Sequence, residues 1–327
     1  MDTLINFHVI DPNNLGDYFS SPFEYFDFPG LKTERWDLQE LRDFAAAPDS
    51  AGKIRDYLAQ LSPNQKVHIV FGGGGLLASQ FKTATQTAFN KVSQSTGGRA
   101  IAWGVGQQSY SIRNSENSPP EYRNKVKRQA LDFPYDDYVK DWDLVGVRDD
   151  LETQYWVPCA SCMHPAFEKD YGEKHDFVVY SHKKFQLKIP GIPTLDHTEK
   201  SMDKVLDFLG SGKTILTSSF HGAYWGTLLG RKVLAFPFTS KFMTLKHPVG
   251  IYPHATWAIP QIRWQPFKTT FLNKINVKIK LSKSYQCPTK DWENYLDEVQ
   301  AYPNALAECR ERNQLFHQRV MDLVSSQ

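Results

Sequence analysis

His221 stands where an apolar run, Thr214–Leu216, gives way to a helical pattern, His221–Leu229. It is the one side chain in that turn able to exchange a proton near neutrality. Ser218, Ser219, Phe220 and Gly222 share the turn, and free N–H groups at a helix start attract anions. The expected chemistry is general acid–base work by His221 on an anionic substrate. The plainer alternative is a turn in which His221 and Ser219 only cap the helix. Arg148, directly after the run Leu144–Val147, offers a bidentate clamp for carboxylate or phosphate, with a structural ion pair as its alternative. Ser240 and Lys241 follow the run Lys232–Phe236, and Ser181, His182 and Lys183 follow Asp176–Tyr180. Each lysine there is a point charge for a phosphate or an ordinary surface lysine.

Two further segments border strand ends. Gly72, Gly73, Gly74 and Gly75 separate an apolar strand from a helix, a pattern that permits close backbone approach and a nest of N–H groups, or simply a tight turn. No Asp or Glu follows Gly72 until Glu116, so the acid that grips a ribose in dinucleotide folds is missing, and a nicotinamide cofactor is not expected. Asn14, Gly16 and Asp17 follow the first strand and either face a ligand or form an Asx turn. Other matches fail on context. Gly210–Thr214 reads helix then strand, the reverse of a phosphate-binding loop. Cys159 and Cys162 lack a second ligand pair at zinc-like spacing and read as buried thiols, so no metal is expected. Asp141 and Asp143 precede their strand and read as a solvated turn.

The strand-like runs that must position these residues are Leu4–Ile10, Lys66–Phe71, Ala100–Val105, Leu144–Val147, Asp176–Tyr180, Thr214–Leu216 and Lys232–Phe236. Helical patterns cover Ile54–Leu61, Leu76–Val92, Ser201–Leu209 and His221–Leu229. A further stretch runs from Thr289 to Val324, split by Pro303, and its long terminal helix is expected to pack back across both halves. The alternation argues for an α/β fold with largely parallel sheets. Pro158, Pro165 and Gly172 punctuate a non-periodic segment, so two domains with a cleft are expected: residues 1–160, 161–288 and a terminal helical segment 289–327.

Composition sets the frame. The 327 residues carry 38 Lys+Arg against 36 Asp+Glu, scattered rather than blocked, which argues against a nucleic-acid surface. The four cysteines are too few for a secreted disulfide framework, and no run reaches the ~18 apolar residues of a membrane span. A cytoplasmic protein is expected. Trp257, Trp264 and Phe267 with Arg263 and Lys268 form a candidate interfacial or acceptor-binding patch, or else core.

Taken together, Asn14–Asp17, Gly72–Gly75, Val147–Asp150, Val157–Cys162 and Ser219–Gly222 through Gly230–Val233 resemble, in type and order, the polysaccharide pyruvyltransferase family, over roughly Asn14 to Lys246. The resemblance implies two Rossmann-like domains in a GT-B arrangement, acceptor side first and donor side second, with the site in the interdomain cleft. It implies transfer of a pyruvyl group from phosphoenolpyruvate onto two hydroxyls of a sugar, on a lipid-linked repeat unit of a capsule or exopolysaccharide, without a cofactor and with peripheral contact at the inner membrane face. His221 matches the histidine of the family's Thr-x-Arg-x-His pattern, and Arg148 its arginine after the preceding strand. Ser219 stands where that pattern has arginine. Losing such a charge costs about 2–5 kcal/mol of binding unless Lys241 or Lys183 replaces it. A neutral Ser219 suits the alternative, a GT-B glycosyltransferase whose helix terminus holds the diphosphate of a nucleotide sugar, with Phe220 or Tyr180 as a base-stacking wall. A non-catalytic glycan-binding protein on the same fold is the third reading.

Overall fold

The computed structural model describes residues 1–40, 54, 56–108, 127–128, 130–255, 257, 259–271 and 274–325, with backbone only across 259–283. All seven runs expected as strands are strands. β1 (Thr3–His8), β2 (Lys32–Asp37), β3 (Val67–Gly72), β4 (Ala100–Val105) and β5 (Leu144–Val147) form one parallel sheet in the order 2-1-3-4-5. β1, β3 and β4 are buried along their whole length, as parallel strands covered on both faces must be. β2 was not expected: its sequence, Lys32 to Asp37, is mostly polar and lies on the sheet edge, where charge guards unpaired backbone groups.

β6 (His175–Ser181), β8 (Thr194–Asp196), β9 (Gly212–Thr217), β10 (Lys232–Ala235) and β11 (Gly250–Ile251) form a second parallel sheet in the order 8-6-9-10-11. Ranked along the chain, that is again 2-1-3-4-5. β7 (Phe185–Gln186) belongs to a third sheet, alongside the antiparallel hairpin of β12 (Ile259–Phe271) and β13 (Lys274–Gln286). Trp257 is buried and packs with Phe185 and Phe238, so it is core rather than interfacial patch. The side chains of Trp264, Phe267, Arg263 and Lys268 lie outside the described residues.

Of the helices that matter here, α1 (Leu15–Tyr18) follows β1, α2 (Ser79–Ala88) follows the glycine run, and α3 (Met202–Gly210) starts where Ser201 accepts from the backbone N–H of Lys204. α4 (Phe220–Leu228) is buried on every side. Gly226 makes that possible, since a Cβ there would stand 2.5 Å from Ile215. After Pro303, α5 (Ala305–Ser325) packs Ala305 and Cys309 into the core beneath the second sheet. It packs Phe316, Val320 and Val324 against Leu4, Val70 and Trp103 of the first. Between them Asn313 accepts from Trp103 Nε1 and donates to the carbonyls of Pro158 and Cys309. Replacing it leaves several buried groups unpaired, at a cost of about 1–3 kcal/mol each.

Candidate functional site

In a parallel sheet of this order, ligands bind beyond the carboxyl ends of the strands where the order reverses, here between β1 and β3 and between β6 and β9. Nearly every candidate residue lies on a segment leaving one of those edges, and contacts join the two sets. A Cβ on Gly16 would stand 1.9 Å from His221 Nδ1, so the imidazole packs directly on α1. Lys183 pairs with Asp11 at 3.3 Å and donates to the Asn13 carbonyl. Ser240 donates to Gln107 Oε1, and Thr244 to Asp149 Oδ1 at 2.7 Å.

The first switch point is packed shut by its own chain. Gly73 and Gly74 have φ of +77° and +84°, the region that glycine tolerates. A Cβ on Gly73 would lie 2.2 Å from the Ser20 carbonyl oxygen, and one on Gly75 2.3 Å from Gln108 Oε1. The Gly73 N–H donates to the Trp103 carbonyl, so it is not free for a phosphate. Asp17, held by the Asn14 amide, turns its carboxylate toward Gly74. Burial raises its pKa, while Lys241 and Arg148 pull it down.

The second switch point is rich in donors. Arg148 is 5% exposed; its guanidinium lies 4.2 Å from the centre of the Phe220 ring, and one amino group donates to the Gln107 carbonyl. Lys241 Nζ stands over Phe220 and Phe238 at 5.4 and 5.5 Å. Among the described residues no carboxylate lies within ion-pair distance of either cation. Burial and the Arg148 charge push the Lys241 ammonium down to about 7, with Asp17 opposing. His221 is 8% exposed and held well below 6.5 by burial, then by Lys241, Arg148 and His197. Arg148 Nε, Gln107 Nε2 and His197 Nδ1 are buried and find no partner among the described residues. Two cations with unpaired N–H groups at Arg148 Nε and Gln107 Nε2 are what an anion satisfies.

Other expected residues have structural work. Ser218 donates to the Phe185 carbonyl at 2.6 Å and accepts from the His182 N–H at 3.0 Å, so its one donor is spent and it has none for an anion. Ser219 caps α4 by accepting from Gly222 N–H and bonds His197 Nε2 at 2.8 Å. Gly222 admits Tyr180 and Thr217 at distances that a Cβ would close to 2.5 Å. His182 accepts from the N–H groups of Lys184 and Phe185 and is kept neutral, chiefly by burial. Lys183 spends its charge on Asp11. Asp149 accepts from Gln107 N–H, the Tyr135 hydroxyl and Thr244, bracing the segments that carry Arg148 and Lys241. Among the described residues no group of three or more His, Cys, Asp or Glu is placed to hold a metal.

Sequence reasoning missed Gln107 and His197. Gln107 sits just past β4, where the rule that singled out Arg148 after β5 applies equally. His197 follows the three-residue β8, too short to read as a strand.

No protein-family model matches the chain, and no curated protein matches it. A solved structure of a functionally uncharacterised protein from Klebsiella pneumoniae is similar over 72% of this chain and 83% of its own, at 13% identity and a TM-score of 0.37. So loose a likeness bears on neither fold nor function. No described helix is long and apolar enough to cross a membrane.

Proposed function

We propose that the chain is a transferase that binds a small phosphorylated, carboxylated donor between its two parallel sheets, most simply phosphoenolpyruvate, and passes the pyruvyl group to a sugar of a polysaccharide repeat unit. The observation that carries this reading is the cluster of Arg148 and Lys241, neither with a carboxylate at ion-pair distance among the described residues, together with the unpartnered N–H donors at Arg148 Nε and Gln107 Nε2. In this proposal the two sheets form Rossmann-like domains in a GT-B arrangement, residues 1–160 and 161–288. Their carboxyl edges face one cleft, crossed by the Lys183–Asp11 and Ser240–Gln107 contacts. Lys241 supplies the charge that Ser219 lacks.

The mechanism follows from charge. A bound dianion raises the affinity of both Lys241 and His221 for a proton, so each is drawn toward its cationic form when the donor arrives. Cationic His221 then protonates the enol carbon, and Arg148 and Lys241 hold the negative oxygens. One acceptor hydroxyl adds to the central carbon and the second displaces phosphate, one hydroxyl proton leaving with the phosphate and the other passing to solvent, which had protonated His221. The nucleotide-sugar reading needs an open aromatic wall. Tyr180 is 2% exposed and packs on His197, and Phe220 lies under Arg148, which favours the smaller donor.

Thermal unfolding with phosphoenolpyruvate and a panel of UDP-, GDP-, CMP- and dTDP-sugars tests the choice. A ligand at a hundredfold excess over its Kd stabilises by about 2.7 kcal/mol. Stabilisation by phosphoenolpyruvate is expected, and stabilisation by a nucleotide sugar alone would overturn the proposal.

A further inference from the structure

We infer that Cys159 is a positioning residue for His221: its thiol fixes the imidazole tautomer so that the proton sits on Nδ1. The chain of contacts starts at Trp225, one turn along α4 from His221, whose Nε1–H donates to Ser161 Oγ at 3.0 Å. Ser161 Oγ lies 3.3 Å from Cys159 Sγ, and Cys159 Sγ lies 3.7 Å from His221 Nε2. Trp225, Ser161 and Cys159 are each at most 1% exposed, so solvent offers these atoms little alternative.

An indole nitrogen only donates, and that sets the direction of the whole chain. Ser161 Oγ accepts from Trp225, so its own hydrogen goes to the sulfur. The thiol hydrogen then goes to Nε2, and the ring hydrogen must be on Nδ1. The opposite order makes Ser161 accept twice and leaves its hydroxyl hydrogen without an acceptor among the contacts present. Burial keeps the thiol protonated and the imidazole neutral, so a thiolate–imidazolium pair is not the resting state.

Nδ1 is the nitrogen packed against Gly16, on the segment arriving from the first sheet. A thiol also accepts. When a bound anion draws a proton from solvent onto Nε2, the sulfur takes that hydrogen bond, and Nδ1 keeps its hydrogen in both charge states. His221 is therefore a donor through Nδ1 before and after protonation, which suits it to an acid's role and not to a base's. That catalytic consequence rests on the transferase reading; the tautomer does not.

The test is long-range proton–nitrogen NMR on protein carrying nitrogen-15 histidine, compared among wild type, Cys159→Ala and Cys159→Ser. Wild type is expected to show His221 with a protonated Nδ1 and a pyridine-like Nε2. Cys159→Ala should move both nitrogens toward the averaged shifts of mixed tautomers, and the serine hydroxyl should restore the wild-type pattern. A protonated Nε2 in neutral wild-type protein overturns the inference, and wild type alone decides this if the alanine variant does not fold. Unchanged shifts in Cys159→Ala overturn it as well. If the protein turns over phosphoenolpyruvate, Cys159→Ala should also shift the acidic limb of the pH–rate profile. Absence of turnover with the expected spectra would sink the transferase reading and leave the tautomer assignment standing.

Discussion

The two parallel sheets share one strand order, yet their switch points do opposite things. At the first, between β1 and β3, Gly73 and Gly74 are left-handed, Ser20 stands so close to Gly73 and Gln108 to Gly75 that no side chain fits, and Asp17 turns a carboxylate toward the gap. At the second, between β6 and β9, the loops carry His182, His197, His221 and Lys241, and Arg148 reaches in from the end of β5 in the first sheet. The fold offers two equivalent switch points; packing closes one, and the other is left with unpaired donors. What separates them is which loops carry side chains with hydrogen-bonding groups left over.

Substitutions at the two places should therefore fail differently. Arg148→Met should have the largest effect, weakening donor binding by about 2–5 kcal/mol while leaving thermal stability level or raised, because a buried guanidinium with no carboxylate at ion-pair distance costs free energy in the empty protein. Calorimetric titration alongside thermal unfolding checks both halves. Gly73→Ala should invert the pattern: a Cβ 2.2 Å from a backbone oxygen, at a φ of +77°, should cost about 2–4 kcal/mol in denaturant unfolding with affinity unchanged in the fraction that folds. Equal loss of affinity in both variants would erase the distinction.

Lys241→Met sharpens it further. The ammonium titrates near 7 in the folded chain against 10.5 when unfolded. Over that window the unfolded state holds more protons, so the stability of the native sequence rises with pH and carries the full penalty at and below pH 7. The variant should be more stable by about 1–3 kcal/mol near pH 7, with the gain vanishing by pH 10.5, and it should bind the donor more weakly.

The smallest effect belongs to His197, which burial lowers to about 3. Below pH 6.5 the unfolded chain takes up a proton that the folded imidazole refuses, so stability falls as the pH drops from 6.5 toward 3. His197→Gln should flatten that slope by about 1–2 kcal/mol between pH 6.5 and 5, read from chemical denaturation at several pH values.

Much of the scaffold was legible because burial on both faces writes itself as unbroken apolar runs; β1, β3 and β4 are the clearest cases. The elements missed lack that signature. β2 is charged and lies at an edge, β7 and β11 have two residues each and β8 three, and β12 and β13 pair with each other, the end of β13 also with β7. The site was legible as a set of strand ends, which is why Arg148, His221 and Lys241 were found together. What sequence did not reveal is how each hydrogen-bonding group is spent. Ser218 and Ser219 look alike on paper, yet one is consumed by backbone and the other joins His197. Lys183 and Lys241 both follow strands, yet only Lys241 is left without an acid at ion-pair distance. Such differences depend on contacts across the two halves, as with Asp11 and Gln107, and no local pattern carries them.

Titration calorimetry of phosphoenolpyruvate at pH 7.5 in two buffers of different ionisation enthalpy decides whether the second switch point holds the donor. Filling the site should draw protons from the buffer onto both Lys241 and His221, and the uptake should fall by most of one proton in Lys241→Met. Binding with no proton exchange in the native sequence, or an uptake that is undiminished in the variant, would contradict the claim that the second switch point holds an anion through Arg148 and Lys241.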